Sequence, residues 1–181
     1  LNGRSNRMLC YCQDCQAFAR FLGPAHQVLD AQGGSDVIQL APHRIQITQG
    51  AAHLAVMRLS AKGMLRWYAA CCRTPVGNTM TSRNMPFTGL LVQCLDSAPV
   101  EAAFGPVRGS ANTDSAIGEP RPRAFGMAGS LLRILAMVAG SRLSGRYKDT
   151  PFFTASGAPV AEPTVLSTEA RARLRPTPGL G

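Results

Sequence analysis

Cys10-Tyr11-Cys12-Gln13-Asp14-Cys15 places three thiols within six residues, in a C-x-C-x-x-C spacing. Zinc takes thiolates at about 2.3 Å in tetrahedral geometry, and a turn this short bends readily enough to aim three of them at one ion. Three protein thiolates leave a fourth position for water or substrate, the arrangement of a catalytic rather than a closed structural zinc. The same spacing is poor for disulfides, whose Cα atoms sit roughly 4.4–6.8 Å apart across unstrained loops. Metal binding by Cys10, Cys12 and Cys15 is the reading from which the rest of the chain is interpreted.

Around this knuckle the chain reads as short strands broken by turns. Asp36–Leu40, Arg44–Thr48, Leu54–Leu59, Leu65–Ala70 and Phe87–Cys94 have strand composition. Gly33-Gly34, Ala41-Pro42, Gln49-Gly50, Lys62-Gly63 and Val76-Gly77-Asn78 punctuate them, and Thr74 to Asn78 reads as a turn. Gln16 to Leu22 suits a short helix stopped by Gly23-Pro24. The segment from Gly105 to Arg123 reads as a loop, and Met127 to Leu143 has helical spacing. In that helix Leu131, Ile134, Leu135 and Val138 share a face expected to pack on the sheet. The expected organisation is therefore a zinc-binding β domain over residues 1–104, a loop and C-terminal helix over 105–155, and a loosely held tail over 156–181.

Composition narrows the partners. The chain has 181 residues, 45% hydrophobic and 16% charged, enough apolar material for one packed core. Its net charge of +9 suits small anionic molecules. The arginines are scattered and aromatics reach only 6%, which argues against nucleic acid as partner. The longest apolar stretch, Ala124 to Gly140, carries Arg133, and an arginine at the bilayer centre costs roughly 2.5–3.5 kcal/mol, so no membrane span is expected. Before residue 83 the acids are Asp14, Asp30 and Asp36, too few for paired-carboxylate catalysis. No P-loop, dinucleotide fingerprint or G-x-S-x-G is present. The first residues lack an apolar leader, and free thiols then point to the reducing cytoplasm. His26, His43 and His53 lie outside any cysteine motif, and Cys94 sits in an apolar run that reads as core.

Taken with Arg66-Trp67-Tyr68-Ala69-Ala70-Cys71-Cys72-Arg73-Thr74-Pro75-Val76, the first motif resembles the glutathione-dependent formaldehyde-activating (GFA) family, which shares the CENP-V/GFA domain. The likeness covers roughly residues 8 to 95 and is strongest to a branch carrying C-Y-C-x-D-C-Q-A-F and C-C-R-T-P-x-G-N segments. The resemblance implies an Mss4-like folded β-sheet held by zinc. It places Cys10, Cys12 and Cys15 on the zinc that joins glutathione to formaldehyde. Cys72, and with it Cys71, falls at a second, structural zinc. The sequence departs from the pattern at Ala69, where the first cysteine of the structural pair belongs, at Arg73 in place of glycine, and at Tyr11 in place of histidine. Cys71 and Cys72 are thus ligands of a second zinc completed by an upstream C-x-C, ligands of the first metal, or packed thiols. Because adjacent side chains diverge in extended backbone, both binding one ion requires a bent conformation.

Two functions follow. In the first, the protein is a carbon–sulfur lyase-type enzyme, with Arg66 and Arg73 gripping the carboxylates of a glutathione-like thiol. In the second, it is a non-catalytic zinc-stabilised module for structure or interaction.

Overall fold

Alternating apolar positions build the sheet. A computed structural model of the chain describes residues 5–95 and 99–175. Its strands are β1 (Asn6–Cys10), β2 (Ser35–Leu40), β3 (Leu54–Arg58), β4 (Leu65–Ala69), β5 (Pro75–Thr79), β6 (Thr88–Leu91), β7 (Gly109–Ala111) and β8 (Thr164–Val165). The helices are α1 (Gln13–Leu22), α2 (Val100–Phe104), α3 (Met127–Leu143) and α4 (Thr168–Leu174). The strands form one sheet in the order β7-β1-β2-β6-β5-β4-β3-β8. Its interior pairs are antiparallel, whereas β7 joins β1 and β8 joins β3 in parallel. The chain is mainly β with a helix in its C-terminal half, as the sequence predicts.

The core fills both sides of this sheet. Phe18 and Leu22 of α1 pack with Met57, Leu59 and Leu91, while Val56, Leu65 and Trp67 pack with Phe152 and Phe153. The Trp67 indole is fully buried, lies 5.0 Å from the Phe152 ring centre and donates to Thr79 Oγ1 at 2.9 Å. A third cluster gathers Ile38, Leu40, Leu90 and Phe104.

Several expected elements differ. Residues 44–48 form no strand: Pro42–Arg44 make a tight 3-10 turn. Ile45 and Ile47 still turn inward in alternation with exposed Gln46 and Thr48, but they line a cavity instead of a ladder. The segment 74–78, expected as a turn, is strand β5; Pro75 opens it, and Gly77 is needed because a Cβ there would stand 2.8 Å from the Gly89 carbonyl oxygen. Strand β6 ends at Leu91, where a 3-10 turn over Val92–Cys94 takes over. Strand β7 lies inside the expected 105–123 loop. Within the expected tail, β8 pairs with β3, and Leu166 and Leu174 pack on the α1 cluster.

Helix α3 has the predicted limits, but of the expected inward face only Ile134 and Val138 turn toward the protein, half-buried. Ser130 and Ser141 are its buried residues, whereas Leu131, Leu132 and Leu135 are 57%, 68% and 56% exposed. The reason lies at its N-terminus. Gly126, at φ 70°, sits so close to the Arg108–Gly109 backbone that a Cβ would collide with the Arg108 carbonyl oxygen. Gly109 in turn approaches Ser130 and Met8. That close approach admits only a small side chain at Ser130, where the helix meets the sheet, and leaves Leu131, Leu132 and Leu135 facing outward.

Candidate metal centre

Strand β1 delivers Cys10 to the end of the sheet, between Ser35 of β2 and Ala111 of β7. Tyr11 N–H donates to the Ala111 carbonyl at 3.0 Å, and the buried Tyr11 ring anchors the next step, its hydroxyl donating to Asp30 Oδ2 at 3.1 Å. With Tyr11 turned into the core, the extended backbone carries Cys10 and Cys12 to the opposite side. Cys12 is the N-cap of α1, and its Sγ accepts from the Cys15 N–H at 3.4 Å. Cys15 therefore occupies the first turn, below the strand end.

The result is a three-sulfur group. Cys15 Sγ lies 3.7 Å from Cys10 Sγ, and all three sulfurs fall within 4.8 Å of one another. Zn–S bonds of about 2.3 Å at tetrahedral angles require sulfurs about 3.8 Å apart; the Cys10–Cys15 pair meets that spacing and Cys12 lies close enough for the group to hold a metal ion. Among the described residues, no further His, Cys, Asp or Glu joins the group.

Electrostatics agree with the geometry. Hydrogen bonds from the Cys12 and Cys15 thiols hold Cys10 well below the usual thiol range. In exchange the Cys10 thiolate pushes Cys12 up, and with burial pushes Cys15 up further. The three thiols therefore resist ionising together, and a cation among them favours loss of all three protons. Asn112 Nδ2 donates toward Cys10 Sγ at 3.7 Å, and the α1 N-terminus adds its positive dipole end. Asn112 was invisible in the sequence as a partner of the cysteines; its one signal is that asparagine tolerates its left-handed φ of 56° at the end of β7.

Asp14, between the cysteines, turns away from the sulfurs. It accepts from Arg171 Nη2 at 3.1 Å and lies 3.8 Å from Arg66 Nη2. Arg66 is buried, donates to Asn78 Oδ1 at 3.1 Å and stacks over Phe18. Arg73 lies at the other end of α1, donating to the Phe21 carbonyl at 2.9 Å and covering the Phe21 ring. The fold thus engages both candidate arginines along α1, and Arg73 alone of the two is exposed.

Cys71 and Cys72 stand apart from the three-sulfur group. They occupy the tip of the β4–β5 turn, closed by Arg73 N–H to the Ala69 carbonyl at 2.8 Å and bent so that their sulfurs lie 3.6 Å apart. Both are exposed, and contact with Thr74 Oγ1 at 3.1 Å lowers the Cys72 thiol. They line a cavity of about 690 Å³ whose walls include Ile45, Ile47, Leu54, Cys94 and Phe104. Cys94 donates to the Leu91 carbonyl at 3.0 Å, and burial pushes its thiol up to about 11.

A family model described as "Family of unknown function (DUF6151)" matches residues 1–164, and the chain belongs to that family. No curated protein and no solved structure matches it.

Proposed function

We propose that this member of the DUF6151 family holds zinc on Cys10, Cys12 and Cys15 and acts as a carbon–sulfur lyase-type enzyme on the adduct of an anionic, glutathione-like thiol with an aldehyde. The observation that carries this reading is three sulfurs gathered within 4.8 Å of one another, with no fourth ligand joining them among the described residues. Such a site keeps a position for an exogenous ligand. The likeness of the cysteine motifs to the GFA family supplies the substrate class.

Zinc bound there supplies the positive charge that lowers a thiol's pKa toward neutrality. The chain's own residues do the rest. Tyr11 fixes the two strand-end sulfurs, and the Asn112 amide and Cys15 N–H steady their charge. In the joining direction the substrate sulfur bonds to the carbonyl carbon while the thiol proton ends on the aldehyde oxygen; cleavage reverses both. Carboxylates of the thiol compound meet arginine, with Arg73 the first to test because it is exposed whereas Arg66 is buried.

One observation favours the second reading, a zinc-stabilised structural module: both arginines already serve the fold. Calorimetric titration of glutathione into zinc-loaded protein, with S-methylglutathione as control, separates the two. Heat from glutathione alone supports the enzyme. Equal heats argue against sulfur coordination, and no heat from either puts the module ahead.

A further inference from the structure

A helix apolar on most of its circumference is ordinarily covered on all sides. Helix α3 is not: Met127, Leu131, Leu132, Leu135 and Leu143 are 50–90% exposed, and Phe125 just before it is 50% exposed. Met127, Leu131 and Leu135 follow i, i+4 spacing, so they form one continuous stripe, with Leu132 and Leu143 beside it. Exposed apolar surface gathered this way marks an interaction site.

The charges around the stripe say what covers it. From Pro120 to Lys148 there is no Asp or Glu, whereas Arg121, Arg123, Arg133, Arg142, Arg146 and Lys148 are present and all six are exposed. They stand before the helix, along it and after it. A second copy docking through this face would bring two such cationic sets together, with Glu119, already paired to Arg121 at 3.3 Å, and Asp149 the only acids flanking the segment, on a chain already at +9. An anionic lipid surface answers both features at once: leucines enter the headgroup–acyl boundary while arginines meet phosphates. No helix among the described residues is long and apolar enough to cross a membrane, so the helix would lie on the surface.

We propose that α3 and its flanking arginines form a docking face for anionic membrane surfaces. The face is separate from the cysteine group, so the proposal stands or falls independently of the zinc reading.

The test is flotation of the full-length, zinc-loaded chain with vesicles of phosphatidylcholine alone or mixed equally with phosphatidylglycerol, alongside light scattering of the free protein. Binding to the mixed vesicles should exceed binding to neutral ones by about tenfold or more and should weaken with salt. Leu131→Gln with Leu135→Gln, at exposed positions that leave the fold intact by circular dichroism, should lose that binding, as should Arg121→Gln with Arg133→Gln. Failure to float with anionic vesicles overturns the proposal. So does a dimer that the leucine variant dissociates, which would assign the face to a second copy.

Discussion

At the scale of single residues, Tyr11 decides which way the thiols face, and Cys12 decides whether they converge. Cys12 serves twice, as α1 N-cap and as one of the three sulfurs. Cys12→Ser keeps a capping acceptor, an oxygen in place of the sulfur, but removes a soft donor, so zinc content by elemental analysis should fall sharply, whereas Cys94→Ser should leave it unchanged. Full zinc in the Cys12 variant would refute the assignment. The three-cysteine group was legible because its geometry is local; Asn112 was not, because it comes to Cys10 across a separation of 102 residues. Cys94 supplies a pH prediction. Its thiol is raised in the folded state from 9.0 to about 11, so folding favours the neutral form. That contribution is complete below pH 9 and is lost as pH rises toward 11. Two units correspond to on the order of 2–3 kcal/mol. Chemical denaturation from pH 8 to 11 should show wild type losing stability relative to Cys94→Ala across that window; parallel curves would contradict it.

At the scale of elements, the limits of α3 were readable and its packing was not. Periodicity located α3 but could not reveal that Gly126 and Gly109 bring backbones together at Ser130, which leaves Leu131 and Leu135 outside while Ile134 and Val138 are half-buried. Composition hid β5, since proline, glycine and asparagine signal turns when no sheet is in view. Helix α4 was missed for a related reason. Seven residues are too few to form a stable helix alone, so its existence depends on what it touches. The Ser167 hydroxyl caps it by accepting from Ala170 N–H at 3.1 Å, and Arg171 ties it to Asp14. Asp14→Ala removes that tie and deprives buried Arg66 of a nearby carboxylate. Exposure of the Asp14 side chain limits the global cost to about 1 kcal/mol, read as a lower denaturation midpoint at unchanged slope. The local effect should be larger: amide exchange in α4 should accelerate markedly while β4 and β5 stay protected. Unchanged exchange in α4 would show that the ion pair does not hold it.

At the scale of the whole molecule, the last residues of the described chain close the sheet's far edge. Strand β8 covers β3, which would otherwise present unpaired N–H and C=O groups, and Leu166 and Leu174 finish the cluster built on Phe18 and Met57. The three-sulfur group sits elsewhere, at the junction of β1 and α1, so sheet closure and the candidate metal centre rest on different parts of the chain. Ending the chain at Pro163 tests that separation. It removes the β8 pairing and two partly buried leucines, a loss of about 2–3 kcal/mol at the usual area coefficient. Trp67, the one tryptophan, is fully buried and reports global unfolding by its fluorescence. The truncated protein should unfold at a clearly lower denaturant midpoint and aggregate more readily through the bared β3 edge, yet still retain its zinc. A wild-type midpoint would mean that residues 164–175 add nothing to the core. Loss of zinc from a truncated chain that remains folded would mean that Arg171, acting through Asp14, also sets the geometry of the cysteine turn.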